Sequence, residues 1–237
     1  MLPPTDFFVT NLDGTPVLAQ ENTLPGLLGT IGLSYVVARL YRPHWSRLAQ
    51  LVLAAIWFGA FELSYVLHTL GHIQSARQIG APMDSVLLAW GLQSNVYHNE
   101  DVTARQHVGR AAGGPIVTSL LVATAMPFYA LLRRVPLLKE LSEIWLFCNA
   151  FNLGVALMPI PHFDAASILK WTTAQRLGEV ALGDEAVQKA GSLAIAGLFG
   201  AASLLVLRGQ WRAAIGSLIG ASIAIADLFA LKGRLPG

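Results

Sequence analysis

Long apolar runs constrain this chain more than any other feature. In lipid, a stretch of roughly 20 apolar residues has no water to satisfy its backbone, so it crosses as a helix or joins a closed barrel. The runs extend from Leu24 to Leu40, Ala49 to His72, Ala111 to Leu132, Leu141 to Met158, Gly191 to Leu207 and Ala213 to Leu231. Turn signals separate them: Pro43 between Arg42 and Arg47, then Arg133, Arg134 and Pro136, then Pro159-Ile160-Pro161. The last two runs are rich in Gly, Ala and Ser, which let membrane helices approach closely. With 54% hydrophobic and only 13% charged residues, and a mean hydropathy of +0.54, an ordinary soluble domain is excluded. The reading is an all-α polytopic membrane protein in a lipid bilayer, with about six transmembrane helices.

The expected organisation is a polar N-terminal tail over 1–23, a first transmembrane helix and turn over 24–48, and a central block over 49–170. An interfacial segment over 171–190 and two C-terminal helices over 191–237 complete it. Between the second and third helices, Ala81 to Gln106 is broken by Pro82 and Gly91. It reads as short strands at Val86 to Trp90 and Gln93 to Tyr97, as a re-entrant segment, or as a plain loop. A net charge of +2 without a continuous basic face gives no footprint for nucleic acid. The single cysteine, Cys148, excludes an intrachain disulfide and a multi-cysteine zinc cluster, and reads as a small packing residue. The tail lacks Lys and Arg and so has no signal-peptide n-region, while Arg39, Arg42 and Arg47 follow the first helix, which favours an external N-terminus.

Within the second run stands His68-Thr69-Leu70-Gly71-His72. Residues four apart on a helix differ by about 40° around the axis, so both histidines project from one face and can share a tetrahedral metal. In the H-E-x-x-H zinc motif a glutamate between the histidines activates water, and here Thr69 occupies its place. Histidines inside a membrane helix are costly without a partner, so the choice is a metal site or a hydrogen-bonded pair within a bundle. Asp164, just after the proline break, is a candidate third ligand; taken alone it reads rather as a solvated cap of a helix over Ala165 to Trp171.

Taken in order, His68-x-x-Gly71-His72, Ala112-Gly113-Gly114-Pro115 and Pro159-Ile160-Pro161-x-x-Asp164 resemble the site-2 protease family of intramembrane zinc metalloproteases. The match covers about Phe58 to Lys170, making 49–170 a site-2-protease-like core. The resemblance implies zinc as cofactor, with His68, His72 and Asp164 as ligands, and a transmembrane protein segment as substrate or client. It also implies inserted strands that pair with an unwound substrate.

Three residues depart from the family pattern. Thr69 stands at the general-base position, and a threonine hydroxyl is not a base near neutral pH; such a loss typically forfeits about 10²- to 10⁴-fold in rate. Ala156 stands where the family carries an asparagine, with Asn152 one helical turn earlier as a substitute for substrate binding. Ala165 stands where the family has glycine, which would strain any backbone needing positive φ. His162 is a candidate replacement base or extra ligand. Glu62 lies about 120° around the helix from His68, too far to replace the missing carboxylate. His98, Glu100, Asp101 and His107 sit in or beside the insertion. The expectation is a pseudoprotease that recognises transmembrane segments. The alternatives are an active intramembrane metalloprotease with His162 as its base, and an ion or proton pathway.

Overall fold

The computed structural model describes residues 6–90, 92–99 and 101–210. Two compact units are built from them, one from residues up to 102 with 112–154, the other from 103–111 with 155 onward.

The first unit begins with a β-hairpin, β1 (Phe7–Leu12) and β2 (Thr15–Ala19). Asp13 and Gly14 form its two-residue turn, both at positive φ (47° and 75°), the backbone that suits a right-twisted hairpin and that glycine adopts freely. The expected polar tail is thus largely strand. The Asp-Gly signal between two β-forming runs is present in the sequence and outweighs the tail's modest polarity. β3 (Ser85–Ala89) and β4 (Leu92–Val96) pair antiparallel, and β3 pairs parallel with β2, giving the order β1-β2-β3-β4. The strand reading of the insertion therefore holds, within a residue at each end, and the re-entrant and plain-loop readings do not.

α1 (Thr23–Tyr41) and α2 (Arg47–Gln78) form a helical hairpin. Ser46 caps α2 by accepting from the Ala49 N–H at 3.3 Å. One side of α2 packs on the sheet: Ile73 is fully buried with Val17, Met83 and Val86, and Leu70 and Leu88 lie against them. Arg77, in its last turn, pairs with Asp13 at 2.7 Å and so ties the hairpin turn to the helix. Another side meets α1 and α4 (Pro136–Ala156), where Ala38, Leu53, Ala54, Ile144 and Cys148 form a core. Cys148 is buried there as a packing residue.

α2 and α4 also share a polar seam. Ser64 donates to Asn149 Oδ1 at 3.0 Å, and Asn149 donates to the Trp145 carbonyl at 2.8 Å. Both side chains are fully buried, so deleting Asn149 takes the acceptor from the buried Ser64 hydroxyl. Asn149→Ala is expected to destabilise the protein by about 1–3 kcal/mol, measured as an earlier thermal transition in detergent. Ser142→Ala should change little, because that hydroxyl donates to the Lys139 carbonyl within its own helix.

α3 (Ala104–Leu132) contributes to both units. The second unit otherwise consists of α5 (Asp164–Leu177) and α6 (Val180–Leu207). Gly183 abuts the Lys170 carbonyl, and Gly191 abuts that of Pro159, close approaches that a side chain would obstruct.

Four helices are long and apolar enough to cross a membrane: α1, α2, α3 and α6. The chain is a multi-pass membrane protein. The expected six spans are therefore four among the described residues. α4, the fourth run, falls short because Lys139, Glu140 and Glu143 occupy its first half, and charges in a span are costly. The sixth run, Ala213 to Leu231, lies outside the described residues. Segment 171–190 divides between the end of α5 and the first turns of α6.

Candidate metal centre

The centre starts from a close helix crossing. A side chain at Gly71 would strike the Gly113 carbonyl, and one at Gly113 would strike the Gly71 carbonyl, so the absence of both lets α2 and α3 touch backbone to backbone. Gly114 makes room for something else, since a Cβ there would collide with Nε2 of both His68 and His72. The adjacent glycines of Ala112-Gly113-Gly114-Pro115 therefore serve separate ends, one the crossing and one the imidazoles.

His68 and His72 are both buried, with Nε2 atoms facing each other at 3.0 Å. Thr118 Oγ1 sits between His68 Nδ1 at 2.8 Å and the Gly114 carbonyl at 3.0 Å. With its one hydrogen on the carbonyl it accepts from Nδ1, the arrangement that turns the His68 Nε2 lone pair toward His72. Two imidazole nitrogens so opposed suit a shared cation, and Thr118 is the kind of partner that fixes a ligand's tautomer.

Asp164 is the first residue of α5, and Phe163, not Asp164, occupies the cap position. Ligand atoms of His68, His72 and Asp164 all lie within 4.8 Å of one another, a group able to bind a metal. Zinc suits this donor set of two imidazoles and one carboxylate.

Thr69 is buried, and its hydroxyl donates to Gln93 Oε1 on β4 at 2.8 Å. Nothing in the sequence marks Gln93 as its partner, because the contact joins a helix to a strand 24 residues on. Asn152 is buried with its amide toward Ser64, 3.3 Å from the hydroxyl and one turn before His68. The second departure thus has a polar side chain close to the motif helix. Ala165 lies inside α5, so the anticipated strain does not arise there; the left-handed residue is His162, with φ 68°.

The other titratable residues go elsewhere. Glu62 is half-buried on α2, with Oε1 making no hydrogen bond among the described residues. His98 faces Asp84 at 3.5 Å, and its backbone N–H donates to the same carboxylate at 2.7 Å. His107 stacks on Trp171, rings 3.8 Å apart and nearly parallel. Asp101 bonds through its N–H to Asn99 at 3.0 Å. Glu100 lies outside the described residues.

No family model and no curated protein sequence matches this chain. Among solved structures it is similar to a site-2 protease from Methanocaldococcus jannaschii, with a TM-score of 0.53 and 20% identity over 92% of this chain and 94% of that one. At that identity the likeness is one of fold: the chain has a site-2-protease-like fold, with a His-His-Asp group able to hold a metal.

Proposed function

We propose that this chain is a zinc-binding, site-2-protease-like membrane protein that recognises a transmembrane segment and holds it with little or no cleavage. The observation that carries the reading is the His68, His72, Asp164 group beside a threonine whose hydroxyl is already engaged. His68, His72 and Asp164 would hold the ion, which when bound supplies Lewis acidity. Thr118 keeps His68 in the ligating tautomer, Gly114 leaves room for both rings, and Asn152 helps to hold α2 at Ser64. Thr69 stands where a general-base glutamate would be and directs its proton to Gln93. β4 is an edge strand of the sheet among the described residues, the position at which an unwound segment would add as a further strand.

Metal analysis and client capture test this together. The purified chain is expected to retain about one zinc, and His68→Ala to retain almost none. A transmembrane peptide carrying a photocrosslinker should be captured intact by the native chain. Absence of metal in the native protein, or rapid cleavage of the peptide, would overturn the reading.

A further inference from the structure

Where α1 turns into α2, a half-open hollow of about 480 Å³ is lined by Tyr35, Arg39, Pro43, Trp45, Arg47 and Gln50. That volume lies within the roughly 300–1,000 Å³ usual for small-ligand sites. Its wall is held in place. Gln50 is buried and donates to the Arg42 carbonyl at 3.0 Å. Arg42 bonds Glu140 at 3.1 Å, and its guanidinium lies over the Tyr41 and Trp45 rings at 4.7 and 5.5 Å.

Arg42 is thus committed, and so are the carboxylates nearby: Glu140 to Arg42, and Glu143 to Tyr41, Tyr129 and Lys139. Arg39 and Arg47 differ. Neither makes an ion pair or side-chain hydrogen bond among the described residues, and no acidic residue lines the cavity. Two unpaired guanidinium forks around a polar hollow call for an anion with several oxygens, and phosphate matches that geometry.

We propose that this cavity binds the phosphate of an anionic phospholipid headgroup. The source follows from location. α1 and α2 are both long and apolar enough to span the membrane, so the turn joining them lies at the headgroup layer, where Trp45 and Tyr35 are also at home. The ligand belongs to neither the metal group nor the sheet edge, so the proposal stands apart from the function proposed above.

Native mass spectrometry of the delipidated full chain, offered phosphatidylglycerol and phosphatidylcholine in equal amounts, tests it. The native chain should retain phosphatidylglycerol preferentially. Arg39→Gln and Arg47→Gln should each reduce that preference about fivefold, since one basic residue near an anionic surface is worth that factor. Arg39→Lys and Arg47→Lys, which keep the charge, should lose less, while Arg134→Gln, outside the cavity, should lose nothing. A parallel arm with inorganic phosphate separates the sources: lipid retention insensitive to millimolar phosphate supports the headgroup. Phosphate binding that depends on both arginines, without any lipid preference, would overturn the lipid assignment. Equal retention of both lipids with no phosphate binding would overturn the site.

Discussion

Gly114→Ala is expected to empty the metal centre without touching a ligand. The added methyl group would occupy the space of His68 Nε2 and His72 Nε2, so the rings must swing apart and the facing nitrogens separate. Displacing groups that orient metal ligands typically costs about 10- to 100-fold in affinity; here both rings move, so the upper end is expected. The fold should tolerate the change better than Gly71→Ala, whose new methyl would meet the Gly113 backbone and push α2 and α3 apart. The paired outcome is diagnostic: Gly114→Ala should lose zinc with a modest shift in thermal transition, whereas Gly71→Ala should show a large shift. Full zinc retention by Gly114→Ala would mean that the histidine pair does not bind the ion through the opposed Nε2 atoms.

Thr69→Glu is expected to raise cleavage of a transmembrane substrate, on the reading that this position once served a base. Supplying a positioned base is worth about 10²- to 10⁴-fold, but the structure adds a condition. Thr69 is buried against Gln93, so a longer carboxylate must share that space with the Gln93 amide, which can bind it and weaken it as a base. Thr69→Glu with Gln93→Ala should therefore exceed Thr69→Glu alone, while Gln93→Ala by itself stays at the native level. Zinc content measured alongside separates a lost base from a lost metal. Robust cleavage by the native chain, unchanged in all three variants, would instead assign catalysis to some other group.

The contrast between Asp164 and Gln93 shows what can be read from the sequence. His68, His72 and Asp164 belong to short blocks whose spacing carries chemistry, and the structure brings their ligand atoms together. Gln93 and Thr118 carry no such signal, because each becomes relevant only through a tertiary contact with the motif helix. The hairpin around Asp13-Gly14 is legible in turn chemistry yet hidden by the polar residues around it. α4 shows the reverse, since its apolar half resembles a span until the Lys139, Glu140 and Glu143 cluster is counted over the whole helix. The Ala165 departure presumes a backbone requirement that falls at His162 instead, a detail that only the path after the proline break decides.

α2 also serves as a depth gauge. At about 1.5 Å of rise per residue, His68 lies roughly 31 Å along the axis from Arg47, close to the whole thickness of a hydrocarbon core. A helix whose first turn rests among headgroups on one face therefore carries its histidine pair toward the other, beneath the sheet that Arg77 ties down.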